Sequence, residues 1–146
     1  MPEEWTTIKY LSQEQVARLF AVIQDPRDRA LFATIYHYGL RVSEATLLQV
    51  ADADLERGRI RIQRLKSGLG GERPLFSNTA SLIREYLPVR LATGSALFTG
   101  RQGNLQRQRI QQLFRHYAGQ AGLEGQFTVH CLRHSIATHL LEDGTD

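Results

Sequence analysis

Hydrophobic positions recur along this chain with two periods, one helical and one alternating. Val16, Leu19, Phe20 and Ile23 follow Ser12 at helical spacing, and Ser12 with Gln15 makes a capping-box pattern, so a first helix is predicted there. Residues 1–10 read as an extended lead-in. Asp25-Pro26 supplies an N-cap and a proline at the first helical position. That second helix carries Leu31, Phe32, Ile35 and Tyr38 and stops at Gly39. Ser43 is the expected cap of a third helix through Leu48. The period then changes, because Arg59-Ile60-Arg61-Ile62-Gln63 alternates as a half-buried strand does. Lys66 to Gly71 holds three glycines in six residues, a turn signal from which Pro74-Leu75-Phe76 returns as a second strand. Ser77 opens a helix with Leu82, Ile83, Tyr86 and Leu87, and Gly100 to Asn104 reads as a loop. The next helix sets Leu105, Ile110, Leu113, Phe114 and Tyr117 on one side and Arg107, Gln108, Gln111, Gln112 and Arg115 on the other. A final helix runs from about Cys131 to Leu141, with Gly144 as its stop. The predicted fold class is α+β, mainly helical with one small antiparallel sheet.

A length of 146 residues fits a single domain over 1–146, and 42% hydrophobic with 23% charged residues excludes a disordered chain. No apolar run approaches the ~18 residues of a membrane span, and Met1-Pro2-Glu3-Glu4 is unlike a signal peptide. Cys131 is the only cysteine, so no internal disulfide forms, and a cytoplasmic location without membrane contact is expected. The net charge of +3 conceals an asymmetry. Residues 1–56 hold five basic and nine acidic residues, whereas residues 57–141 hold thirteen basic and three acidic. A local excess of that size suggests a face for a polyanion. Sixteen of the eighteen basic residues are arginine, whose planar fork suits phosphate, although a codon bias gives the same count.

Three constellations carry candidate chemistry. In Tyr38-Gly39-Leu40-Arg41-Val42-Ser43-Glu44, Arg41 follows a helix-ending glycine and precedes a new helix, where Glu44 can orient it. A plain surface arginine near a helix start is the competing reading. In Arg64-Leu65-Lys66-Ser67-Gly68, Lys66 sits on a glycine-rich turn, placed either to reach a ligand or simply to be solvated. In the segment His130 to Leu141, His130 and Arg133 lie one helical turn apart, where one can exchange a proton with a phosphate and the other can grip it. His139 beside Leu140 and Leu141 reads as a packed structural histidine. His130 and His134 have the spacing of a zinc-protease helix, but Cys131 stands where the general-base glutamate belongs and no third ligand follows. No metal is therefore assigned.

In this order, Tyr36 to Glu44, the Leu65-Lys66 hairpin through Pro74-Leu75, Leu105 to Gln108 leading into Arg115-His116-Tyr117-Ala118, and His130 to Leu141 resemble the catalytic domain of the tyrosine recombinases, the phage-integrase family. The resemblance runs from about residue 9 to the last residue. It implies site-specific DNA recombination (integration, excision or inversion) through a 3′-phosphotyrosine intermediate. Arg41 and Arg133 would grip the scissile phosphate, His130 would assist proton transfer, and Lys66 would protonate the leaving 5′ oxygen. Arg107 and Gln108 would lie on the family's DNA-facing helix. Double-stranded DNA is the implied partner, no cofactor is implied, and the full-length protein would be a tetramer on two DNA sites. The family's second histidine or tryptophan and its nucleophilic tyrosine have no counterpart here, because Tyr10, Tyr36, Tyr38, Tyr86 and Tyr117 all precede His130. The last four of these fall on apolar helical faces and read as core. The chain is thus expected to be a fragment, monomeric and unable to cleave alone, with residues 1–10 leading in from an absent amino-terminal DNA-binding domain. The alternative is a non-catalytic DNA-binding module derived from a recombinase.

Overall fold

The computed structural model describes residues 10–63, 71–91, 94–123 and 127–142. The element order is α1 (Gln13–Val22), α2 (Pro26–Tyr38), α3 (Val42–Leu47), β1 (Ala53–Asp54), β2 (Arg59–Ile62), β3 (Gly71–Pro74), α4 (Ser77–Tyr86), β4 (Thr99–Gly100), β5 (Gly103–Asn104), α5 (Arg107–Gln120) and α6 (Val129–Glu142). The fold is mainly helical with a small antiparallel sheet, β1-β2-β3, and a two-stranded ribbon, β4-β5.

The helix starts follow local chemistry. The Ser12 hydroxyl accepts the Gln15 N–H, and the Gln15 side chain accepts the Ser12 N–H, so both halves of the capping box form. Asp25 caps α2 at Asp28 N–H with Pro26 at the first helical position. α2 buries an unbroken run from Ala30 to Ile35, so it is the central helix, packed against α4 and α6. Phe32 sits at its middle, in ring contact with Phe114 and Tyr117 of α5 at 6.0 and 6.1 Å between centroids. Helices on both sides of α2 therefore depend on one apolar rod, and α5 and α6 are located by what they bury against it.

The sheet differs from the sequence reading in detail. β2 buries Ile60 and Ile62 and exposes Arg61, as alternation requires. Its partner is Gly71–Pro74 rather than Pro74-Leu75-Phe76, with Ile62 opposite Gly71 and Arg59 opposite Pro74. Proline ends the strand because it has no N–H to donate. Leu75 leaves the ladder to donate its N–H to Gly58 at 2.8 Å and to bury its side chain. Ser43 does not cap α3; the N-cap is Arg41. Gly100 to Asn104 is the β4-β5 ribbon rather than an irregular loop. Gly144 lies outside the described residues.

Gly39 closes α2 with φ 60° and ψ 44°, and a Cβ built there would lie 3.4 Å from Ile136 Cγ2 of α6. Gly39→Ala is therefore expected to cost about 1–2 kcal/mol from the left-handed backbone alone, read by urea denaturation. An unchanged midpoint would contradict this account of the turn.

Candidate phosphate-binding site

Three chain segments meet where α2 ends. The left-handed turn at Gly39 lets the Leu40 N–H reach back to the Ile35 carbonyl at 3.0 Å. The Gly39 carbonyl accepts the Nε–H of Arg133, from α6, at 2.8 Å. Arg41 comes two residues later as the N-cap of α3. Glu44, 3% exposed in the first turn of α3, accepts the backbone N–H of Arg41 at 2.8 Å. The contact is to the main chain from which the Arg41 side chain springs.

His130 stands in the first turn of α6 and is exposed. Its pKa is lowered from the ordinary 6.5, by partial burial of the ring first and then by the positive surroundings of His134, Arg133, Arg41 and Arg107. Those neighbours come from α3, α5 and α6. The sequence-predicted Arg41, His130 and Arg133 therefore share one electrostatic neighbourhood, and Arg107 joins it from the start of α5. A lowered pKa leaves the imidazole uncharged near neutrality, able to accept a proton. Gln108 is exposed beside Arg107 on the same opening turn. That turn contains no acidic residue. Lys66 lies outside the described residues.

The tyrosines read as core do more than fill space. The Tyr38 hydroxyl donates to the Pro74 carbonyl at 2.7 Å and accepts the Phe76 N–H at 3.0 Å, which ties the end of β3 to the last turn of α2. The Tyr86 hydroxyl donates to the Leu97 carbonyl, and that of Tyr117 donates to Asp28. Tyr36 meets His139 Nδ1, while His139 Nε2 donates to the Leu11 carbonyl at 2.8 Å. A carbonyl only accepts, so Nε2 carries the proton and Nδ1 accepts from the Tyr36 hydroxyl. One turn earlier, Ser135 accepts the Leu11 N–H at 2.8 Å and donates to the Cys131 carbonyl at 2.6 Å. Both backbone polar groups of Leu11 are thus satisfied by side chains on one face of α6. His139 is structural, as its apolar neighbours suggest. The pairing with Leu11 was invisible in the sequence, since serine in a helix carries no signal for a partner 124 residues away.

A mainly helical fold with this small antiparallel sheet belongs to a defined class. The sequence model of the phage integrase family matches residues 9–146, and the chain belongs to that family. Tyrosine recombinase XerA of Thermococcus kodakarensis is 38% identical over 144 residues, covering 94% of this chain and 50% of the relative. Tyrosine recombinase XerD of Ralstonia nicotianae is 36% identical over 150 residues, covering 94% and 49%. The crystal structure of XerA recombinase superposes with a TM-score of 0.83 at 27% identity, covering 94% of this chain and 51% of that one. The chain spans about half the length of the curated relatives it matches.

Two outcomes test the geometry. Arg41→Ala removes a positive neighbour, so it should raise the His130 titration midpoint, followed by histidine NMR, toward 6.5. Because the folded value lies below the unfolded one, His130's contribution to stability is complete above pH 6.5 and is lost as pH falls through the folded value. A midpoint unmoved by Arg41→Ala would show that the two groups lie apart. Ser135→Ala leaves the Leu11 N–H unpaired, an expected loss of about 1–3 kcal/mol by urea denaturation. A neutral result would mean that Leu11 is not held as described.

Proposed function

We propose that this chain is the phosphate-gripping part of a site-specific recombinase, which breaks and rejoins double-stranded DNA through a 3′-phosphotyrosine link. The observation that supports it best is the hydrogen bond from Arg133 to the carbonyl two residues before Arg41, with both arginines among the charges that act on His130. In this reading the two guanidiniums of Arg41 and Arg133 compensate the charge of a dianionic, pentacoordinate phosphorus. His130, uncharged near neutrality, takes the proton of the attacking hydroxyl or shares a hydrogen bond with a phosphate oxygen. Lys66 protonates the leaving 5′ oxygen. Arg107 and Gln108 on the opening turn of α5 contact the duplex. Retaining the phosphodiester energy in a covalent link lets rejoining proceed without cofactor or metal. The whole protein works as a tetramer on two DNA sites, and this chain alone is a monomer in the cytoplasm.

The nucleophile is not among the tyrosines buried here. The hydroxyls of Tyr36, Tyr38, Tyr86 and Tyr117 are each engaged in a structural hydrogen bond. Tyr10, which is exposed, precedes α1. This favours, as a second reading, a chain that acts by itself as a DNA-binding module.

A protein extended to the length of its relatives separates the readings. On a suicide substrate, it should form a covalent adduct, and Arg41→Ala or Arg133→Ala should each slow cleavage about 10²–10³-fold while leaving much of the DNA binding. The 146-residue chain should form no adduct. Normal cleavage by either arginine variant would overturn the assigned roles.

A further inference from the structure

A second basic feature lies at the other end of α2. Arg27 is in its first turn and Gly39 follows its last, a separation of about 18 Å along the helix. The buried Asp28 carboxylate accepts the Arg27 Nε–H at 2.8 Å, and its second oxygen accepts the Tyr117 hydroxyl. Arg27 Nη1 also donates to the Thr99 carbonyl of β4 at 3.2 Å. Two anchors therefore fix the direction of this guanidinium before anything binds.

Between the start of α2, the β4-β5 ribbon and the start of α5 lies an open cleft of about 680 Å³. Arg27, Arg101 and Arg109 line it together with Gln102, Asn104 and Gln106. Among the described residues no carboxylate lines it; Asp28, which pairs with Arg27, is 2% exposed. Arg101 and Arg109 are exposed. Asp28 balances Arg27, but Arg101 and Arg109 add two further positive charges to the hollow, which suits an anion rich in acceptor oxygens.

Continuity indicates which anion. Gln106 lines this cleft and also a shallower one formed with Arg107, Gln108 and Gln111. Arg107 in turn is a charged neighbour of His130. The basic groups therefore run as a track from the Arg41–Arg133–His130 cluster, across the start of α5, to the β4-β5 ribbon. A small free anion needs one pocket, whereas a duplex carries a charge about every 1.7 Å of its length and engages a track.

We propose that the Arg27–Arg101–Arg109 cleft is a second phosphodiester-backbone site, which holds the same DNA duplex away from the bond that reacts. It rests on the reading of the cluster as a DNA site. Its contacts are to the backbone, so it sets the register of the protein on the duplex and carries no base preference.

The test uses the 146-residue chain and a fluorescent DNA duplex of arbitrary sequence, with anisotropy measured over a range of salt. The double variant Arg101→Ala, Arg109→Ala should bind about tenfold or more weakly. Its plot of log affinity against log salt should be shallower by about 1.8, the share of two phosphates. Arg57→Ala with Arg84→Ala removes the same charge from exposed positions on the β1-β2 turn and α4, and should keep the slope. All four side chains are exposed, so melting followed by circular dichroism should be unchanged in both variants. A cleft variant that binds with the wild-type affinity and slope overturns the cleft alone. A control pair that loses as much overturns it too, because overall charge then governs. Tighter binding of an RNA hairpin than of the duplex overturns the assignment to DNA. A wild-type chain that binds no duplex at any salt overturns both the cleft and the reading beneath it.

Discussion

The hydrogen bond from Arg133 to the Gly39 carbonyl is the constraint on which the site depends. It requires a carbonyl that faces α6 at the point where α2 has ended, and the left-handed glycine provides it. The same helix end does three further things. Tyr36 meets His139 on α6, Tyr38 ties down the end of β3, and the chain two residues on becomes Arg41, with its own N–H held by the buried Glu44. Four contacts from five or six consecutive residues bring α6, the sheet and α3 to one place. Arg41 and Arg133 both act on His130 with like charge, so the neutral hydrogen bonds and apolar packing around them hold the arrangement.

Much of this was legible in the residue pattern, for reasons that differ by element. Ser12, Asp25-Pro26 and Gly39 mark helix ends through contacts made within a few residues, and such signals survive without knowledge of the fold. Arg41, His130 and Arg133 stand out as candidate site residues because their types and order match a family motif; the structure adds that both arginines act electrostatically on His130. The errors lie where tertiary contacts decide. Leu75 and Phe76 look like strand residues, but Leu75 turns its N–H to Gly58, and Phe76 gives its own to Tyr38. Ser43 is a good capping residue two positions too late, because the buried Glu44 fixes the start of α3 at Arg41. The hydroxyl partners of Tyr36, Tyr38 and Tyr117 had no local signature, since an aromatic on an apolar face predicts burial and says nothing of where its oxygen goes.

The basic groups divide by how they are held. Arg133 and Arg27 are each tied at opposite ends of α2 to a backbone carbonyl, and Arg27 also to a carboxylate. Arg101, Arg107 and Arg109 are exposed on the ribbon and on α5. Held guanidiniums fix position at little entropic cost when a phosphate arrives, whereas mobile ones add charge over a wider area. The net charge of +3 conceals this basic excess because nine of the acidic residues lie in the first 56 residues.

We propose that Arg41, Arg133 and His130 converge on a space the size of one phosphodiester. A crystal structure of the chain with a short DNA duplex measures it directly. One phosphate should lie within hydrogen-bond reach of both guanidiniums and of the His130 imidazole, with the Arg133–Gly39 bond intact. Arg41 and Arg133 resting on phosphates of different nucleotides, or His130 turned away from both, would contradict the account.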